Sequence, residues 1–196
     1  MQNPSIFNNH PYLNRLALTS GDDEVIDPYG IITDFFHFGT IAEMKALFLE
    51  SCRAALSEKY SWKQGSPGNL LYFYERLEKL VEACFLIFLR SKKKNKLPKK
   101  LKPAAFKKVL NHTNLPCSLS AEEMSDPFPV IQSFFEFHSI KEWKQDLYAW
   151  MEAGLSDYTV LENMEAKDIL PYHHHLQKLL DACWYISLRV KRKKKI

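Results

Sequence analysis

The chain has 196 residues, of which 46% are hydrophobic and 13% aromatic, a composition typical of a folded protein and unlike that of a disordered one. Its longest strongly apolar run, residues 83–89, is too short to cross a bilayer, and the first residues lack the pattern of a signal peptide. The four cysteines have no disulfide-framework spacing, which favours free thiols. We therefore expect a cytoplasmic protein without a membrane span.

One segment, residues 69–90, is repeated in register as residues 168–189. Pairing each residue with the one 99 positions later gives 28 identities in 97 pairs, where chance gives roughly 6. A gapless repeat of this length is typical of a duplicated structural unit. We predict two tandem helical repeats, residues 1–98 and 99–196, that pack together as one bundle domain. Two separately folded three-helix units, linked by residues 96–103, are the alternative.

Taken in chain order, each half first shows an Asp-Pro pair. Asp27 and Asp126 each precede a proline, an arrangement that starts a helix with Asp as its N-cap. The Phe-rich short helix that we predict next contains Phe35, Phe36 and Phe38 in the first half, and Phe134, Phe135 and Phe137 in the second. Capping boxes at residues 40–43 and 139–142 then each open a predicted helix of about 18 residues.

The last predicted helix of each half starts at Asn69 or Asp168 and carries one apolar stripe at helical spacing. In the first half the stripe is Leu70, Phe73, Tyr74, Leu77, Leu80, Val81, Cys84 and Phe88, and in the second it is Ile169, Tyr172, His173, Leu176, Leu179, Leu180, Cys183 and Trp184. No segment has a convincing strand pattern. The sequence therefore predicts an all-α protein, a pseudo-twofold bundle of four long helices with the short helices closing its ends.

Three consecutive histidines, residues 173–175, suggest a metal site. Consecutive helical residues point about 100° apart, so these three side chains do not share one ion on a regular helix. A metal or small-molecule site between the halves, near His173 and with His175 as a second candidate ligand, is one interpretation. A polar residue in the core is the other, since no Glu-x-x-His or Cys-x-x-Cys pair accompanies the run. No cofactor is predicted.

Cys84 and Cys183 share one position of the repeat and lie on the apolar stripes. We interpret them as buried small hydrophobes, because neither lies at a helix start, where a thiolate would be favoured. The sequence contains no phosphate-binding glycine loop, nucleophile elbow or zinc-protease motif. We predict no catalytic residue and favour a non-enzymatic protein.

Basic residues cluster at the ends of the last helix of each half. Residues 90–108 contain ten Lys or Arg and no acid, and residues 189–196 contain six and no acid. Solvated helix ends are the first interpretation, because cations at a helix C-terminus complement the macrodipole and keep the surface soluble. An anionic partner is the second, because ten basic residues in nineteen are more than that role needs. The predicted contacts with an anionic partner are Lys92, Lys93, Lys94, Lys191, Arg192 and Lys193.

The remainder of the chain has 11 basic and 23 acidic residues, so we expect an acidic body with two basic helix ends. This pattern favours an interaction or regulatory module whose basic ends contact an unidentified protein or a nucleic acid. A nucleic-acid-binding accessory protein is the alternative function, although no helix-turn-helix or RNA-binding motif supports it. The ligand site near His173 is the second alternative.

Overall fold

A computed structural model describes residues 11–19, 26–94 and 118–193, with the side chains of all of these except 17–19, 92–94 and 191–193. Within these ranges the protein is all-helical, with eight α-helices and no strand. The helices are α1 (Asn14–Thr19), α2 (Pro28–Phe35), α3 (Ile41–Ala55), α4 (Pro67–Lys94), α5 (Ala121–Ser125), α6 (Phe128–Phe137), α7 (Ile140–Gly154) and α8 (Ala166–Lys193), with a 3-10 turn at Val160–Glu162.

The predicted Asp-Pro starts are confirmed for α2 and wrong by one residue for α6. In α2, Asp27 accepts a hydrogen bond from the backbone N–H of Tyr29 at 3.0 Å, with proline at the first helical position. In α6 the helix begins at Phe128, because Asp126 is extended backbone that ends α5. Its carboxylate still accepts from the Phe128 N–H, at 3.4 Å.

Both predicted capping boxes are confirmed, and each opens a helix of 15 residues. In each box the hydroxyl of the N-cap residue, Thr40 or Ser139, accepts from the backbone of the glutamate three residues later, and that glutamate accepts from the N-cap backbone. A third box, formed by Ser120 and Glu123, opens α5 and was not predicted. Each box satisfies two backbone N–H groups that the helix itself leaves without partners.

The two longest helices, α4 and α8, contain 28 residues each and begin two residues before the predicted Asn69 and Asp168. The sequence suggested that Pro171 lies in the first turn of α8. Because α8 starts earlier than predicted, Pro171 lies inside the helix. A proline there removes one helical hydrogen bond and costs about 3 kcal/mol in an isolated helix. No described helix has the length and hydrophobicity needed to cross a membrane.

The predicted apolar stripes form the main hydrophobic cluster, which has residues from both halves of the chain, and a smaller cluster lies in the second half around Val130 and Tyr185. Within the stripes, Ile169, His173 and Trp184 are only partly buried. The position predicted for the short helices is wrong: α2 and α6 each pack against both α4 and α8 and do not close the ends. Their phenyl rings account for this, since Phe36 contacts Trp184 of α8 and Phe135 contacts Phe85 of α4, with ring centroids 5.2 Å apart in each pair.

Helices α3 and α7 also join the two halves. Helix α3 packs against α7 and α8, and α7 packs against α4. The short helices α1 and α5 pack within their own halves, on α4 and α8, respectively. Each half is therefore packed against several elements of the other half.

Candidate functional site

The long helices α4 and α8 contact each other through a pair of cysteines. Their sulfur atoms, Cys84 Sγ and Cys183 Sγ, lie 3.3 Å apart, and each cysteine occupies the same position in its 28-residue helix. Helix α7 runs back along α4, with Gly154 beside Leu70 and Lys144 at Glu82. Helix α3 runs back along α8, with Phe48 at His173 and Lys45 at Asp181. Because the C-terminal ends of α3 and α7 lie together, α4 and α8 run in the same general direction.

Both lysine-rich helix ends therefore point to one pole of the molecule. Each helix continues for ten residues beyond its cysteine, which is about 15 Å of helix. We call residues 90–94 and 189–193 the basic pole. The predicted contact residues are Lys92, Lys93, Lys94, Lys191, Arg192 and Lys193; their backbone lies in the last turn of α4 or α8, and their side chains lie outside the described part of the structure.

Two arginines attach the preceding segments to the basic pole. The Arg90 guanidinium donates to the carbonyl oxygen of Ile26 at 2.9 Å, and the Arg189 guanidinium donates to that of Ser125 at 2.6 Å. Burial lowers the pKa of Arg189, against the opposing charge of Asp126, but an arginine remains protonated. Its Nε and NH1 atoms are buried without a hydrogen-bond partner.

A buried carboxylate, Glu82, lies on the stripe of α4 with its side chain fully buried. It accepts hydrogen bonds from the backbone N–H groups of Arg15 and Leu16, at 3.1 and 2.8 Å, and forms an ion pair with Lys144 of α7. Burial raises the pKa of Glu82, while Lys144 and the backbone donors act in the opposite direction. With both oxygens engaged, this carboxylate holds α1 and α7 on α4 and has no free lone pair directed at a substrate.

The second buried acid, Asp181 of α8, has corresponding partners. Its carboxylate binds Lys45 of α3 at 2.9 Å and accepts from the Ser118 backbone N–H at 2.8 Å. The sequence analysis missed both buried acids. The signal was present, because each apolar stripe contains an acid two residues before its cysteine, a place where an unpaired charge would be costly.

The histidine run is divided among aromatic neighbours. His173 stacks on Phe48 of α3, with ring centroids 5.2 Å apart, and His175 stacks on Phe137 of α6 at 4.2 Å. Burial lowers the pKa of both imidazoles. Nowhere in the residues that the structure describes is a group of three or more His, Cys, Asp or Glu placed to hold a metal ion.

The hydroxyl of Tyr172 and the indole N–H of Trp150 are buried without hydrogen-bond partners, and the buried hydroxyl of Tyr74 lies within hydrogen-bond reach of Ser51. The rings of Trp150 and Tyr172 stack with centroids 4.9 Å apart. Burial raises the pKa of both tyrosines, and it raises that of the Cys52 thiol to about 12. All of these groups are therefore neutral near pH 7, and none is activated as a base or nucleophile.

An open cleft of about 360 Å³ lies between α2 and α4. Its main polar feature is Arg76, whose guanidinium lies 4.1 Å from the ring centroid of the exposed Phe38. Arg76 also donates to the carbonyl oxygens of Asp34 and Phe35 at the end of α2. The arginine is thus engaged with α2, and the walls carry charges of both signs from Arg15, Asp34, Glu75, Arg76 and Lys79.

Comparison of the chain with protein-family models, curated proteins and solved structures finds no match to any of them.

Proposed function

We propose that the protein is a non-enzymatic binding module that contacts an anionic partner through its basic pole. The observation that supports the proposal best is that α4 and α8 contact each other at Cys84 and Cys183 and continue in the same general direction to their lysine-rich ends. Two separate basic helix ends thereby become one extended surface. A phosphate-rich chain or an acidic protein surface has the complementary charge.

The charge distribution supports contact at the pole only. The basic pole and the segments that follow it in the sequence, residues 90–108 and 189–196 together, contain sixteen of the 27 basic residues, whereas the remainder has an excess of acids. A polyanion is attracted to the pole and repelled by the body, which orients the encounter. A polyanion that binds there releases counterions, so its affinity falls steeply with salt.

We infer further that the two halves are copies of one unit, related by a pseudo-twofold axis between α4 and α8. The reciprocal ion pairs support this inference. Lys45 of the first half binds Asp181 of the second, and Lys144 of the second binds Glu82 of the first. Positions 45 and 144, and positions 82 and 181, are related by the sequence repeat. Under this symmetry the basic pole is two equivalent ends, suited to a partner with repeated anionic groups.

The test is binding of labelled duplex DNA and single-stranded RNA at about 50 and about 200 mM salt. One variant changes Lys92, Lys93 and Lys94 to Gln. The matched control also changes three lysines to Gln, the exposed Lys59, Lys63 and Lys141 of the body. Both variants therefore lose the same charge. We expect micromolar binding by the parent protein that weakens with salt, a several-fold loss in the pole variant, and little change in the control.

Equal losses in the two variants would show that net charge, and not the pole, controls binding. Absence of binding to either nucleic acid at the lower salt concentration would exclude a nucleic-acid partner. In that case the same pair of variants, tested against an acidic polypeptide such as polyglutamate, decides whether the pole binds anions at all. Failure there as well would overturn the proposal.

A further inference from the structure

We propose that Cys84 and Cys183 are an oxidisable dithiol, which a small peroxide converts into a disulfide between α4 and α8. The proposal depends on the geometry of the two side chains, and it stands independently of the function proposed for the basic pole.

The two sulfur atoms are already in contact. Their separation of 3.3 Å exceeds the length of a disulfide bond by only about 1.2 Å, a difference that small rotations of two side chains can supply. Both residues are fully buried, so the close packing around them holds the sulfurs together. Cys52, the other cysteine in the described part of the chain, is also buried but makes no contact with a second sulfur there.

The reaction consumes one peroxide. The thiolate of one cysteine attacks the O–O bond, which breaks to leave a sulfenic acid on that sulfur and hydroxide, which takes up a proton to become water. The second thiol, as its proton leaves, displaces hydroxide from the sulfenic sulfur, and the S–S bond forms with release of a second water. The two sulfurs lose two electrons, and the peroxide oxygens gain them.

The environment of the pair favours a disulfide over further oxidation. Burial and the neighbouring sulfur raise the pKa of Cys183, so the thiolate forms slowly in the closed protein, and the first step is slow. Once a sulfenic acid has formed, the second sulfur is closer than any further peroxide. A small neutral oxidant also enters a packed core more readily than a bulky disulfide reagent.

The bond would close a loop between residues 99 positions apart, which strongly restricts the unfolded chain. It would also fix the separation of the two ends of the basic pole, a consequence that does rest on the proposed function. Oxidation would then alter the spacing at which a partner's anionic groups are held.

The experiment treats the folded full-length protein with hydrogen peroxide and follows intact mass, the number of thiols titrated in denaturant, and the thermal midpoint. A urea-unfolded sample defines the time needed to oxidise accessible thiols. We expect the four thiols of the sequence to fall to two, with a mass loss of two hydrogens. The midpoint should rise by roughly 5–15 °C and return after dithiothreitol is added.

Three variants identify the pair. Cys84→Ala and Cys183→Ala should each abolish the mass loss and the shift in midpoint, whereas Cys52→Ala, the buried control, should retain both. Retention of all four thiols in the folded parent protein, or a disulfide that maps to Cys52 or Cys117, would overturn the proposal. Because nucleic-acid binding is measured on the reduced protein, failure of one proposal is distinguishable from failure of the other.

Discussion

At equivalent positions, the two halves of the chain cover a phenylalanine ring with different polar side chains. In the first half, the guanidinium of Arg76 covers the ring of Phe38 at 4.1 Å. In the second half, His175 covers Phe137 at 4.2 Å. Arginine is always charged, whereas burial lowers the pKa of His175 and favours its neutral form. The position therefore requires a flat polar side chain over a phenyl ring, and the charge is secondary.

The buried acids differ more. The ion pair of Glu82 with Lys144 is part of a network in which Lys144 also binds Glu78 at 2.9 Å and donates to Tyr12 and Asn14. In the pair of Asp181 with Lys45, both side chains are slightly more exposed than their counterparts. The two ion pairs are therefore equivalent in the repeat but differ in burial.

The largest expected effect comes from breaking these pairs one at a time. Lys144→Met leaves the fully buried Glu82 without its cation, and we expect unfolding free energy to fall by about 3–5 kcal/mol. Lys45→Met, the matched change, should cost about 2 kcal/mol, because both side chains of this pair are slightly more exposed to water than those of the other pair. Urea unfolding of both variants measures the difference. Equal losses would contradict the inequality between the halves.

A smaller effect concerns the pH dependence of the second half. Because the pKa of His175 is lowered by burial, and further by its neighbours His174, Lys178 and His138, the unfolded chain takes up a proton at higher pH than the folded one. Stability from this group is complete above the unfolded pKa of about 6.5 and is lost as pH falls towards the folded pKa.

The variant His175→Arg, which copies the first half, tests this dependence. It should lose less thermal stability than the parent protein between about pH 7.5 and about pH 5.5. The control His37→Arg changes an exposed histidine and should leave the pH dependence unaltered. A parallel decline in parent and His175→Arg would show that the titration of His175 is not coupled to folding.

The smallest expected effect is at Tyr172. Its hydroxyl is buried without a partner, so Tyr172→Phe should leave stability unchanged or raise it by up to about 1 kcal/mol. The first half has Phe73 at the position equivalent to Tyr172. The change Tyr172→Phe therefore gives the second half the side chain that the first half has. A loss above 1 kcal/mol in chemical unfolding would mean that the hydroxyl is hydrogen-bonded in solution.

Local chemistry explains which elements the sequence could predict. The capping boxes and the apolar stripes act within a few residues, so their helices are visible in the sequence. The start of α6 was placed wrongly because Asp126 serves two helices, and Pro171 was placed wrongly because α8 extends two residues upstream. Both errors concern helix boundaries, where neighbouring elements compete.

The candidate site depends on contacts between helices, and the pattern of residues within one helix does not indicate these. Sequence alone indicated the lysine-rich helix ends but not their common direction, which depends on how α7 packs against α4 and how α3 packs against α8. The short helices were expected at the ends because nothing local indicates that Phe36 and Phe135 contact the long helices of the opposite halves. The buried acids could have been recognised by comparing the two long helices, because each has an acid two residues before its cysteine.

The interlocked packing has a consequence during synthesis on the ribosome. Helix α3 buries its surface largely against α7, and Lys45 finds Asp181 only 136 residues later. When the first half has left the exit tunnel, the elements that cover its apolar face have not yet been translated. The nascent chain must keep that face from aggregating until nearly the whole protein has emerged, so folding is a late event that a stalled or truncated product never reaches.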